Sequence, residues 1–126
     1  MISADTSALV EYLKGGDGKE VAFIEEALLG GTLVVSPVVI SELLSDSKLS
    51  QDKIKKIMFL PVLEVNEGYW QKAGIMRAKL ISKKLKARLA DTLIAQSCLD
   101  HNVALITLDS DFRHFKKHCG LKTIEF

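Results

Sequence analysis

Short apolar runs rich in β-branched residues alternate along this chain with stretches of helical period. The extended runs are Met1 to Ala4, Leu33 to Ser36, Leu63 to Val65, Ala104 to Leu108 and Lys122 to Glu125. Between them, Val21, Ile24 and Leu28 form one apolar stripe, and Ile54, Ile57 and Met58 a second. Tyr69, Ala73, Met76 and Leu80 make a third, on a long helix expected to end near Leu85. Gly15-Gly16-Asp17-Gly18 separates the first two helices and Gly30-Gly31 closes the second. Pro37 suits a first helical turn, where its missing N–H costs nothing. Asn66 is positioned to cap the long helix.

Strands separated by helices favour a parallel sheet, because parallel neighbours need a crossover connection. Right-handed crossovers then predict a doubly wound α/β domain in three layers, with a central parallel sheet of about five strands. With no repeat, linker or low-complexity tract, residues 1–126 are expected to form a single domain. Ligands of such folds gather at the carboxyl ends of the strands, near the switch in strand order.

Composition narrows the class. The chain is 48% hydrophobic and 26% charged, a balance that excludes disorder and suits a globular protein. No apolar run approaches the roughly 20 residues that span a bilayer, and no signal peptide is evident, so a cytoplasmic location is the expectation. Cys98 and Cys119 are too far apart for a CxxC motif and read as reduced thiols.

The net charge of +1 conceals an uneven distribution. Between Gln71 and Ala90 lie seven basic residues (Lys72, Arg77, Lys79, Lys83, Lys84, Lys86 and Arg88) and no acid. The remainder carries 10 basic residues against 16 acids. Such a stretch is either a solvated helix face or a tract that attracts polyanions.

Candidate chemistry lies in the acids. Asp5 follows the first extended run, in Asp5-Thr6-Ser7, and Asp109 follows the fourth, in Thr107-Leu108-Asp109-Ser110-Asp111-Phe112. Glu42 lies in the helix that begins at Pro37, flanked by apolar Val38, Val39 and Leu43, and so interrupts a segment expected to be largely buried. Asp91 opens another helix, in Ala90-Asp91-Thr92-Leu93-Ile94-Ala95. Taken singly, each is an ordinary helix cap or first-turn acid. Together they lie on elements that a parallel sheet would bring to one edge. Carboxylates clustered there need a counter-charge. Oxygen donors suit Mg²⁺ or Mn²⁺, whose bound water can serve phosphodiester hydrolysis.

Four segments resemble, in order, the motifs of PIN-domain ribonucleases of the VapC toxin type. Asp5-Thr6-Ser7 is similar to the first and Ser36 to Leu44, with its glutamate, to the second. Asp91 to Ala95 is similar to the third and Thr107 to Phe112 to the fourth. The resemblance covers nearly the whole chain. It implies a PIN-like sheet and a Mg²⁺- or Mn²⁺-dependent endoribonuclease with Asp5, Glu42, Asp91 and Asp109 as the acidic set. Asp111 fits the last acidic position, and Ser7 and Thr107 belong at the rim. It further implies an RNA substrate, a small antitoxin partner and a homodimer, with no membrane association.

Other readings fit less well. A haloacid-dehalogenase-like phosphatase would carry Asp-x-Asp after its first strand, where this chain has Asp5-Thr6-Ser7. A receiver domain would need adjacent acids there and a later lysine. An RNA-processing PIN nuclease without an antitoxin, or a PIN binding module that has lost catalysis, remain alternatives. His114 and His118 have a chelating spacing, but Lys116 and Lys117 beside them point to a basic face. His101, before Asn102, reads as a helix C-cap residue. Tyr69 and Trp70 read as core or dimer contacts.

Overall fold

A computed structural model describes residues 1–126. In chain order the elements are β1 (Ile2–Ala4), α1 (Thr6–Leu13), α2 (Lys19–Leu29), α3 (Pro37–Leu44), α4 (Gln51–Met58), α5 (Tyr69–Ser82), α6 (Leu89–His101) and β2 (Ala104–Ile106). A 3-10 turn over Ser110–Phe112 and α7 (Arg113–Cys119) follow.

β1 and β2 pair in parallel, with Ile2 opposite Ala104 and Ala4 opposite Ile106. Three more segments join by single parallel bridges: Leu33 to Ile2, Val62 to Val35, and Thr123 to Leu105. The spatial order is therefore the Val62 segment, the Leu33–Val35 segment, β1, β2 and the Thr123 segment. The chain starts in the middle, builds to one side, and returns to build the other. This is the expected doubly wound parallel arrangement, with its switch between β1 and β2.

Five segments run parallel, but only two are regular strands. The others are cut short by their flanks. Gly31 at φ +70° and Pro37 bound the Leu33–Val35 segment. Pro61, lacking an N–H, can only accept, taking the Val35 amide at 2.8 Å.

The helices begin where capping chemistry allows. Asp5 caps α1 and Ser50 caps α4, each accepting a backbone N–H. Asn66 does not cap α5. That place belongs to Gly68, whose φ of +80° turns the chain into the helix while Asn66 contributes only its carbonyl. The helix ends at Ser82 rather than near Leu85, because Lys84 takes a left-handed φ of +60° and Leu85 folds back onto the Leu80 carbonyl.

The core gathers Leu9, Ile24, Leu33, Val35, Val39, Ile57, Leu80, Ile94, Leu105 and Ile106 with Phe112 and Phe115. Two polar ties set helix positions. Tyr69 donates to the Leu93 carbonyl at 2.6 Å, locking α5 to α6. Ser36 and Ser97 share a buried 2.9 Å hydrogen bond that joins the start of α3 to α6. Tyr69 is thus core, whereas Trp70 is exposed. His101 does not cap its helix; its ring meets the Glu64 carbonyl at 2.8 Å, and Asn102 in the left-handed region ends α6.

Candidate active site

The loops leaving β1 and β2 are stitched together at the sheet's switch point. Asp5 extends the ladder by one bond, donating its N–H to the Ile106 carbonyl. Its side chain, 3% exposed, uses both oxygens. Oδ1 accepts from the Ala8 amide at 3.0 Å and the Ser7 hydroxyl at 2.7 Å, while Oδ2 accepts from Thr107 Oγ1 at 2.6 Å. Burial pushes the Asp5 carboxyl above its ordinary pKa, the three hydrogen bonds pull it back, and the Asp109 charge pushes it up again. Helix cap and candidate site acid are one residue.

Ser7 and Thr107 each also take a backbone N–H from the second loop. Leu108 donates to Ser7 Oγ at 3.0 Å and Asp109 to Thr107 Oγ1 at 2.9 Å. Asp109 in turn caps the 3-10 turn by accepting the Asp111 amide at 2.9 Å. Phe112, fully buried, nails that turn to the core.

α3 and α6 supply the remaining acids. Glu42 is exposed rather than buried, because Val39 and Leu43 take the inward face of α3 and leave it on the outward one. Thr6 donates to Glu42 Oε1 at 2.6 Å and steadies it. Asp91 lies in the first turn of α6. Burial raises its pKa, and Arg88 opposes that rise while Asp109 and Glu42 reinforce it. Asp5, Glu42, Asp91 and Asp109 line one cleft of about 130 Å³ together with Arg88. Asp111 lies just outside, yet Asp91, Asp109 and Asp111 each offer a carboxylate oxygen within 4.8 Å of the others. Lys86 Nζ, 3.0 Å from Asp111, holds that carboxyl below its usual value, with Arg88 and Arg113 adding to the effect.

The basic run does not form one face. Lys72 pairs with Asp100, Arg77 holds the Ala87 carbonyl, Lys79 the His118 carbonyl, and Lys86 pairs with Asp111. Arg88 turns into the acids. Three of the seven, Lys72, Lys86 and Arg88, pair with carboxylates, whereas Lys83 and Lys84 are exposed with no carboxylate partner. The sequence pattern marks Arg88 only as part of the basic run and Thr6 only as a motif neighbour of Asp5, not as residues that contact the acids. The i,i+3 spacing of Arg88 and Asp91 at a helix start was the available signal for the arginine's contact.

Larger hollows, of about 480 and 310 Å³, lie between α1, α2 and α4. They hold no clustered acids of the kind found at the switch point.

The family model described as PIN domain matches residues 2–118. The chain belongs to the PIN-domain family. This PIN domain also aligns over its whole length with solved structures. VapBC2 of Rickettsia felis bound to a promoter DNA fragment matches at a TM-score of 0.77 and 21% identity, over 100% of this chain and 99% of that one. VapBC-1 of nontypeable Haemophilus influenzae matches at 0.72 and 20%, over 99% and 98%. FitAcB of Neisseria gonorrhoeae matches at 0.71 and 18%, over 99% and 97%. A search of curated proteins gave no match. The expected likeness to VapC-type PIN domains is thus borne out in family and fold. No helix of this PIN domain is long and apolar enough to cross a membrane.

Proposed function

We propose that this PIN domain, acting as one unit over residues 1–126, is a divalent-metal-dependent endoribonuclease and the toxin of a toxin–antitoxin pair. The observation that carries the reading is the convergence of Asp5, Glu42, Asp91 and Asp109, from four elements, on one cleft at the sheet's switch point. Their donors are hard carboxylate oxygens, which suits Mg²⁺ or Mn²⁺ rather than a softer metal. Asp5, Glu42, Asp91 and Asp109 would hold the ion, with Asp111 reaching it from the Asp109 side. A divalent ion bound there supplies polarisation of a phosphoryl oxygen and a bound water of lowered pKa.

The chain's own groups prepare that chemistry. Ser7, Ala8 and Thr107 fix the Asp5 carboxylate in one orientation, and Thr6 does the same for Glu42. Preorganised carboxylates need little rearrangement when charge develops on a phosphate. Lys83 and Lys84 supply charge for the flanking phosphates of an RNA strand. The antitoxin part of the proposal rests on two further solved structures of like fold, described as a member of the VapBC family of toxin–antitoxin systems from Mycobacterium tuberculosis and as a toxin–antitoxin complex from Klebsiella pneumoniae. The apolar 310 Å³ hollow, walled by Leu9, Leu13, Leu28, Phe59 and Leu60, offers such a partner a surface. Exposed Trp70 and Ile75 on α5 support a homodimer. A cytoplasmic location follows from the proposed RNA target.

Asp5→Asn tests the reading. Asparagine caps a helix as well as aspartate does, so the variant should fold. Cleavage of single-stranded RNA with Mn²⁺ or Mg²⁺ should fall by about a hundredfold or more, with an unchanged circular-dichroism spectrum. Undiminished cleavage would sink the assignment.

A further inference from the structure

The cleft contains a cation of its own. Arg88 Nη2 lies 3.1 Å from Asp109 Oδ2 and 3.1 Å from Asp111 Oδ2, and Nε lies 3.4 Å from Asp91 Oδ2. These are the three carboxylates whose oxygens fall within 4.8 Å of one another. We propose that Arg88 is a built-in competitor of the divalent ion: its guanidinium pairs with Asp91, Asp109 and Asp111 in the metal-free protein, offsetting part of their charge, and must swing aside as an ion binds. The inference rests on the metal-dependent reading above and adds the residue that would set how tightly the ion is held.

The chemistry argues for exclusion rather than sharing. A guanidinium and a divalent cation compete for the same carboxylate lone pairs, and they repel each other at contact distance. Arginine stays protonated throughout the working pH range, so only movement of the side chain removes that charge.

The surroundings permit such movement. The root of Arg88 is fixed: its carbonyl accepts from the Thr92 amide at 3.0 Å and the Thr92 hydroxyl at 2.8 Å. Arg77 Nε holds the neighbouring Ala87 carbonyl at 2.8 Å, so the loop itself is anchored. Beyond that root the side chain is 57% exposed, leaving room to swing into solvent. Ion pairs at such exposure are individually weak. Arg88 therefore discounts the affinity of an incoming ion without blocking it. Lys86 differs, because it meets Asp111 alone.

The test is a calorimetric titration with Mn²⁺, without RNA, of the wild-type chain, Arg88→Gln and Arg88→Lys. Arg88→Gln should bind Mn²⁺ about tenfold more tightly, the size expected for losing a few exposed ion pairs. Arg88→Lys, which keeps a charge, should stay nearer the wild type. Without metal, Arg88→Gln should melt below the wild type, because the acids lose their counter-charge, and saturating Mn²⁺ should close that gap. Arg88→Met keeps the aliphatic stem and replaces the glutamine variant should that variant fail to fold. Equal or weaker Mn²⁺ binding by the neutral variant overturns the competitor and leaves the metal site standing. A lysine variant that binds as tightly as the neutral one overturns competition by charge. Absence of Mn²⁺ binding by every variant defeats the metal reading itself, and this inference with it.

Discussion

Thr107 Oγ1 donates a 2.6 Å hydrogen bond to Asp5 Oδ2, joining residues 102 positions apart at the ends of β1 and β2. The same hydroxyl accepts the Asp109 amide at 2.9 Å, so one threonine aligns two acids. A carboxylate as buried as Asp5 depends on such donors to stay ionised.

Thr107→Val should therefore cost about 1–3 kcal/mol at neutral pH, the penalty for a buried acceptor left without its donor. Asp5 already titrates above its ordinary value, and loss of the bond raises it further. A carboxyl whose pKa is raised by folding contributes stability at low pH that is lost as pH rises through the folded value. The penalty should accordingly shrink in acid, where Asp5 is protonated. Urea unfolding with a chelator present, at neutral and at acid pH, measures both limits.

Tyr12 makes an alkaline prediction. Burial, with Glu25 accepting its hydroxyl at 2.6 Å, pushes the phenol from 10.0 up to about 12. The neutral phenol is the form the fold favours. The stability it contributes is complete below pH 10.0 and is lost as pH rises toward about 12. Tyrosinate absorbance should show this titration near 12 in the wild type and lose it in Tyr12→Phe. A Tyr12 titration at 10.0 in the folded protein would refute the argument.

Lys83 and Lys84 are exposed and without a carboxylate partner, so their charge is open to a polyanion. Lys83→Gln combined with Lys84→Asn should weaken RNA binding and reduce the salt slope by about 0.7 per lysine. Asparagine is chosen at residue 84 because it tolerates the φ of +60° there. An unaltered slope would return these lysines to a solvated surface.

Phe112 ties the Asp109 loop to the core, with its ring centroid 5.9 Å from that of Phe115. Phe112→Ala should destabilise by about 3–5 kcal/mol. Because the 3-10 turn moves with it, RNA cleavage should fall more than the folded fraction does. Activity tracking the folded fraction would show that the turn holds Asp109 without its anchor.

Much of this was legible along the chain. The extended runs and their order follow from local apolar pattern, and an acid just beyond a run shares the sheet edge whatever the details of packing. Asp5 and Asp109 were visible for that reason. Strand lengths were not, because Gly31, Pro37 and Pro61 curtail pairing in ways that depend on the neighbouring segment. The apolar neighbours of Glu42 suggest burial, but the rotation of α3 puts Val39 and Leu43 inward and Glu42 out. Asn66 had the right chemistry for a cap, but the chain turns two residues later, at Gly68.

By itself, the sequence of residues 1–126 determines the alternation of elements, the parallel class and the acids that stand at their ends, since all of these come from periodicity and local backbone preference. Only the tertiary structure decided which charges meet. Arg88 stands three residues before Asp91 and 21 and 23 before Asp109 and Asp111, yet one guanidinium reaches all three. Ion pairing acts over a few ångströms of space, and separation along the chain places no bound on it until the sheet brings its loops together.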